Sequence, residues 1–159
     1  MQIETKQQVI GEVDLLIEYD DGRTERQHFK NTVLLDGRAA LAACLANEIG
    51  DSFQFYISQM IFGNGGTQEG TPLYVQAERT GLFGITVVSR PVISAVNNAM
   101  PNVVTFTCVI LKNDPYVGVI NEMALQMAYQ ETLYSMTTFP DLTKTNNMQL
   151  TLVWSLTFV

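Results

Sequence analysis

Few residues of this sequence have the types and spacing that catalysis needs. Triads of the Ser-His-Asp or Cys-His kind require an imidazole, and the sequence contains one histidine, His28. Its neighbours Arg26 and Gln27 are typical of a solvent-facing position. We therefore interpret His28 as a surface residue and not as a catalytic base.

Glu122 is the second candidate, because it interrupts an apolar stretch. A carboxyl in such surroundings could act as a general acid with a raised pKa. The structural alternatives are pairing with Arg90, Lys112 or backbone amides, or an outward position in an interface. No second carboxylate is near in sequence, so a glycosidase-type pair is not evident. We favour a structural role and predict that the chain is not an enzyme and has no catalytic residues.

The sequence also lacks a recognisable metal site. Zinc needs about four Cys or His ligands at close spacing, whereas Cys44 and Cys108 are distant and lie in apolar stretches. We interpret both cysteines as small buried residues in a reducing compartment. Asp20, Asp21 and Glu25 could bind calcium in principle, but the twelve-residue loop with its central glycine is absent. No metal and no cofactor are predicted.

A glycine-rich passage at residues 63–67 could cradle an anion with free backbone amides. It lacks the Lys-Ser/Thr of a phosphate loop, and the third glycine of a dinucleotide fingerprint would fall at Gln68. We predict a loop that needs glycine for positive φ, within a mobile segment at 63–72. Six aromatic residues are spread without basic neighbours, so no nucleic-acid partner is predicted: Tyr56, Phe62, Tyr74, Tyr116, Tyr129 and Tyr134. No apolar run approaches a membrane span, and there is no signal peptide, so no membrane partner is predicted either.

Alternating apolar residues predict most of the elements that would position these groups. Residues 8–19 and 24–30 predict a hairpin around the Asp-Gly turn at Gly22. An alanine-rich stretch predicts one helix that begins after Asp36 as its N-cap and ends within 47–52. Further strands are predicted at 53–62, 85–94, 103–112, 119–128, 132–138 and about 148–158, with a turn at 139–141 and an ambiguous segment at 73–83.

These elements predict a mainly β fold. The expected architecture is an antiparallel β-sandwich or flattened barrel of about seven to eight strands with one α-helix. Residues 1–7 are predicted to be an N-terminal arm that reaches a neighbouring molecule, and residues 8–159 a single β-sandwich domain.

Charge is scarce and unevenly distributed. Charged residues make up 16% of the 159 residues, and the net charge is −7, whereas about 25% is usual. Residues 91–159 hold only six charges, so this half is expected to be inner core or surface covered by a partner. Such a composition disfavours disorder and suits a repeated unit of an assembly.

Four passages carry a resemblance to a known group. They are residues 29–33 with the helix that follows, the passage 61–73 with its G-x-G-G-T and T-P-L, the strand 120–125, and Lys144 with the closing strand 148–158. Together they resemble tailed-bacteriophage virion structural proteins. The sequence departs from that pattern at Met123 and Ala124, where a Gly-Leu-Phe-like continuation would be more typical.

The resemblance implies a structural protein of a phage particle. We expect a capsid decoration (cement) protein that binds at capsomer junctions as a homotrimer and stabilises the head, with the major capsid protein or other virion proteins as partners. It would be assembled in the host cytoplasm and located in the virion. The alternatives are a tail or baseplate component and a carbohydrate-binding attachment module, in which Tyr74 or Tyr116 would stack on a sugar.

Loops carry most contacts on a rigid sandwich. The predicted assembly contacts are Gly63, Asn64, Gly65, Gly66, Thr67, Pro115 and Tyr116.

Overall fold

The computed structural model describes residues 8–46 and 55–159. The predicted N-terminal arm and the predicted end of the helix lie outside these residues. The elements, in chain order, are β1 Val9–Tyr19, β2 Thr24–Lys30, β3 Thr32–Val33, α1 Leu35–Ala46, β4 Ile57–Gly63, β5 Thr67–Gln68, β6 Thr71–Pro72, β7 Thr86–Pro91, β8 Ile93–Val96, β9 Val103–Ile110, β10 Gly118–Met127, β11 Leu133–Lys144 and β12 Met148–Phe158.

These strands form two five-stranded antiparallel sheets, and the prediction of a mainly β fold of the sandwich type is confirmed. The first sheet has the order β2-β1-β12-β9-β8, and the second has the order β3-β11-β10-β4-β7. β5 and β6 make a small separate hairpin. Its turn contains Glu69 and Gly70, both with positive φ.

The first sheet is built on the predicted alternation. In β1, Val13, Leu15 and Ile17 are buried, and in β12 the buried residues alternate from Met148 to Leu156. β1 and β12 pair along their whole length, with Val13 opposite Trp154. Because the apolar residues recur every second position, one face of the sheet points inward and the other is left to solvent.

The second sheet is covered on both faces. Its inner face packs against the first sheet through side chains such as Phe62 and Met123, which are fully buried against Trp154 and its neighbours. A second apolar cluster lies on its outer face and consists of Leu34, Ile61, Val75, Ala124, Leu133 and Met136, with Leu82 and Phe83 packed against it. The segment 73–83, for which the sequence predicts no definite element, therefore covers the outer face of this sheet.

Three predicted elements are corrected by the structure: the start of the helix, the strand at 85–94 and the turn at 139–141. The helix begins at Leu35, so Asp36 lies inside its first turn and is not the N-cap. The single strand predicted at 85–94 is two strands in different sheets, because the chain crosses between the sheets at Val92.

The turn predicted at 139–141 is part of β11, which continues to Lys144. The pairing of β10 with β11 shifts register there, with Ile120 opposite Leu142 and Glu122 opposite Thr138. Asn121 thus faces a bulge that contains Pro140. A bulge is one of the places in a sheet that tolerate proline, since the residue need not donate to the ladder.

Candidate functional site

The Glu122 carboxylate lies at the centre of the most highly connected polar cluster in the described part of the chain. The side chain is fully buried. Its Oε1 accepts hydrogen bonds from the amides of Gly65 at 2.9 Å and Gly84 at 2.8 Å, and its Oε2 accepts one from the amide of Phe83 at 2.7 Å. Of the predicted alternatives for Glu122, pairing with backbone amides is the one the structure shows.

The glycines of residues 63–67 allow this close approach. A Cβ at Gly63 would lie 2.5 Å from the Glu122 carboxylate, and a Cβ at Gly66 would lie 2.4 Å from the carbonyl oxygen of Asn121. Gly65 likewise packs against the backbone of Gly84. None of the three has positive φ, which occurs instead at Gly22, Gly70 and Gly118. The expectation that this loop needs glycine for positive φ is therefore wrong. It needs glycine because there is no room for a Cβ between the loop and β10 or residue 84.

Asn121 extends the same cluster on the other side of the strand. Its Oδ1 accepts from the amide of Gly66 at 2.7 Å, and its Nδ2 donates to Thr67 Oγ1 and to Asp141 Oδ1, both at 2.9 Å. Thr67 also donates to Asp141 at 2.7 Å. The hydrogen bonds that Asp141 accepts from Asn121 and from Thr67 hold the pKa of its carboxyl below its usual range, because they stabilise the charged form. The bulge in β11 brings Asp141 to this position.

The arrangement is suited to holding backbone segments and not to proton transfer. Both oxygens of Glu122 are occupied by amide donors, and a general acid must instead present a proton to a reacting atom. Together, Asn121 and Glu122 attach the loop 63–67 and the segment 83–84 to β10. The start of the segment predicted to be mobile is thus fixed by side-chain hydrogen bonds.

His28, Asp114 and Lys112 each lie in a pair with an oppositely charged or polar side chain. His28 is about half exposed, so it is a surface residue, as predicted, and its Nδ1 lies 2.9 Å from Asp14 Oδ1, a contact that the sequence did not predict. Asp114 is buried and forms an ion pair with Arg90. Lys112 lies 3.1 Å from Asp20 and not near Glu122.

The two cysteines differ from each other. Cys108 is buried in the main core, and burial raises the pKa of its thiol to about 12. Cys44 is exposed on α1, so its prediction as a buried residue is wrong. Among residues 8–46 and 55–159, no group of three or more His, Cys, Asp or Glu side chains is placed to hold a metal ion.

Lys144 is a buried cation. Its side chain is inaccessible to solvent, and its ammonium group donates to the carbonyl oxygens of Thr145 at 2.7 Å and Lys112 at 3.4 Å. Desolvation lowers the pKa of this amine below its usual value.

The predicted assembly contacts fall into two groups. Gly63 and Gly66 are buried inside the protomer, and Gly65 and Thr67 are half-buried in the cluster around β10. Asn64 and Pro115 are exposed. The side chain of Tyr116 packs beside the main core and donates from its hydroxyl to the carbonyl oxygen of Val119 at 2.8 Å. Of the seven residues, Asn64 and Pro115 therefore offer the most surface to a partner.

A surface that the sequence did not single out lies on the outer side of the first sheet. The outward-facing residues of β12, β9 and β8 are uncharged and half-buried to exposed, and we call them the neutral face: Thr151, Val153, Ser155, Thr157, Val103, Thr105, Thr107, Val109, Ile93 and Ala95. On the same side of the sheet, β1 and β2 carry charged residues such as Glu12, Asp14 and Arg26. The boundary between the charged and uncharged halves runs between β1 and β12. The neutral face can be recognised only from the pairing register of the strands, because it combines residues from three strands.

No helix within the described ranges is both long and apolar enough to cross a membrane. No protein-family model, no curated protein and no solved structure matches the chain.

Proposed function

We propose that the chain is a structural protein of a bacteriophage particle, a capsid decoration (cement) protein that joins other virion proteins and stabilises the head. The observation that supports this most directly is the neutral face. A protein that remains alone in water usually has charges of both signs dispersed over its surface. Here the outer side of β12, β9 and β8 presents Thr, Val, Ser, Ile and Ala instead.

The composition of this face suits adhesion over an extended area. Threonine and valine are rigid at χ1, so a flat array of them loses little side-chain entropy when it is covered. Uncharged residues also avoid the cost of removing ions from water. Each copy can contribute a weak contact, and multiplication over many copies makes the assembly stable.

The interior of the protomer supports the same role. The glycine loop and the segment 83–84 are attached to β10 by Glu122 and Asn121, and the Arg90–Asp114 pair ties β7 to the turn before β10. A rigid unit loses less conformational entropy on docking than a flexible one. The four sequence passages that resemble phage virion proteins give the proposal its biological setting.

The proposal is tested by counting copies in purified particles. Virions of the phage that encodes the chain are purified, and the chain is quantified against the major capsid protein by mass spectrometry. Hundreds of copies support the cement role, whereas about six to a few dozen support the tail or baseplate alternative, as expected from the symmetry of those structures. Absence of the chain from the particle refutes both.

A pair of variants tests the face itself. Thr107→Lys places a charge on the neutral face, and His28→Lys places the same residue on the charged half of the same sheet, in line with Thr107 across the strands. If the neutral face binds the particle, Thr107→Lys is excluded from virions in competition with the wild type and His28→Lys is incorporated normally. Equal incorporation of both variants contradicts the role of this face.

A carbohydrate-binding module is the second candidate, and Tyr74 is the observation that favours it. Its side chain is 82% exposed, which is unusual for an aromatic residue and leaves the ring available for stacking on a sugar. Tyr116, the other tyrosine considered for this role, is occupied by its contact with Val119. A glycan array distinguishes this candidate, since binding that is lost in Tyr74→Ala would support it and an array without signal would reject it.

A further inference from the structure

The outer edges of the first sheet differ sharply in charge. β2, at one edge, has the sequence TERQHFK and includes Glu25, Arg26 and Lys30. β8, at the other edge, has the sequence ISAV, and all four of its residues are exposed. Charged residues on an edge strand oppose pairing with another chain. The β2 edge is protected in this way and the β8 edge is not.

The hydrogen bonds show which backbone groups of β8 are available. The amide of Asn97 donates to the carbonyl oxygen of Val103 at 3.0 Å, directly after the paired residues Val96 and Val104. Hydrogen-bonded and non-hydrogen-bonded pairs alternate along an antiparallel ladder. The N–H and C=O groups of Ala95 and Ile93 therefore point toward β9, and those of Ser94 and Val96 point away from the sheet.

We propose that β8 pairs with β8 of a second copy of this chain, antiparallel, about a two-fold axis at Ala95. In this register Ser94 of each copy lies opposite Val96 of the other. The outward N–H and C=O groups of these two residues then form four hydrogen bonds across the axis. The first sheets of two protomers become one continuous ten-stranded sheet.

The side chains fit this register. Ala95 faces Ala95 in a non-hydrogen-bonded pair, where the strands come closest, with Cα atoms about 4.5 Å apart, and alanine is small enough for that position. Val96 is 59% exposed in the protomer, and the partner strand would cover it. Ile93 is 78% exposed and lies near the axis on the neutral face.

Charge explains why a second copy is a suitable partner. The chain has a net charge of −7, which opposes self-association in general. Residues 91–111 contain no charged residue, however, so two β8 edges meet without placing like charges together. Pairing of β8 with the β2 edge of another copy would instead bring an uncharged strand against Glu25, Arg26 and Lys30.

This contact has two-fold symmetry and gives a dimer. The trimer implied by the resemblance to phage proteins would need another surface, and a dimer and a trimer differ in mass. The inference does not rest on the proposed role in a virion, because it requires only the purified chain.

The test combines mass measurement with substitutions at the two edges. Light scattering of the wild-type chain at micromolar concentration is expected to give twice the mass of 17.7 kDa. Ser94→Pro removes one outward N–H without touching the ladder to β9, and Ala95→Lys places two ammonium groups face to face at the axis. Both variants are expected to be monomers with the circular dichroism spectrum of the wild type. Thr24→Pro and Thr24→Lys, which make the same changes on the outward side of β2, are expected to remain dimers.

Mixing provides a result that loss of folding cannot imitate. Ala95→Glu is also expected to be a monomer, and an equal mixture of Ala95→Lys and Ala95→Glu is expected to restore the dimer, because residue 95 faces residue 95. A monomeric wild type overturns the proposal that β8 pairs with a second copy. An oligomer of any size that survives both Ser94→Pro and Ala95→Lys, or an Ala95→Lys and Ala95→Glu mixture that stays monomeric, overturns it as well.

Discussion

Replacement of Glu122 by glutamine tests whether its carboxylate holds the surrounding backbone. In Glu122→Gln the amide oxygen can take the place of Oε1 and keep the hydrogen bonds from Gly65 and Gly84. In the wild type the amide of Phe83 donates to Oε2 at 2.7 Å. In the variant an NH2 group replaces Oε2, so two hydrogen-bond donors face each other. The substitution retains the shape of the side chain, so its effect reports on hydrogen bonding and charge and not on packing.

The expected loss follows from the individual bonds. A hydrogen bond to a charged group contributes about 1.5–3 kcal/mol, and an unpaired buried donor costs about 1–3 kcal/mol. The two retained bonds also weaken, because their acceptor becomes neutral. Relief from burying a charge offsets part of this cost. We expect Glu122→Gln to lower the free energy of unfolding by about 2–4 kcal/mol.

Urea denaturation followed by tryptophan fluorescence measures this change, because the single tryptophan, Trp154, is fully buried. With a slope of about 2 kcal/mol per molar urea, the midpoint should fall by about 1–2 M at unchanged slope. Glu18→Gln is the matched control, since Glu18 is exposed and accepts only one long hydrogen bond, from Gln149 at 3.3 Å. If the two variants shift the midpoint equally, the anchoring role of Glu122 is refuted.

Two further predictions concern the loop and the buried lysine. Gly66→Ala should destabilise the fold by about 1–3 kcal/mol, because the added Cβ overlaps the carbonyl oxygen of Asn121. Gly81→Ala is the control for the same urea titration and should be neutral, because a Cβ at Gly81 meets nothing within 4 Å. Lys144 has a pKa below its unfolded value of 10.5, so the unfolded chain binds more protons and stability rises with pH between the folded and the unfolded pKa. The stability of the wild type relative to Lys144→Met should therefore increase as the pH approaches 10.5, and a difference that is independent of pH would contradict the burial of this charge.

The strands of the first sheet could be predicted because they obey one simple rule. β1 and β12 each bury one face, so apolar and polar residues alternate, and the Asp-Gly turn marks the hairpin. The sequence predicts one strand where β7 and β8 lie because 85–94 is rich in β-branched residues, and the local pattern does not show that the chain changes sheets at Val92. The sequence also predicts that the strand at 132–138 ends before Pro140, because proline usually terminates a strand. In the structure β11 continues to Lys144, since a bulge in its pairing with β10 accommodates the proline.

Glu122 could be recognised from the sequence as a structural carboxylate, but its donors could not. The amides of Phe83 and Gly84 come from a segment without periodicity, and they meet Glu122 only because that segment crosses the outer face of the second sheet. The glycines at 63–66 suggested unusual backbone angles. Their actual reason is contact with β10, and contact of this kind depends on tertiary structure alone.

The scarcity of charge in residues 91–159 concerns two different parts of the structure. β10 and β11 lie inside the second sheet, which is covered on both faces, and two of their three charges, on Glu122 and Lys144, are buried and hydrogen-bonded. The third, Asp141, is exposed at the bulge. β9 and β12 bury one face only, and their other face is uncharged although it is open to solvent. Burial within the protomer accounts for the first case and not for the second. The neutral face and the β8 edge both belong to the first sheet, and they are the places where we propose that partners bind.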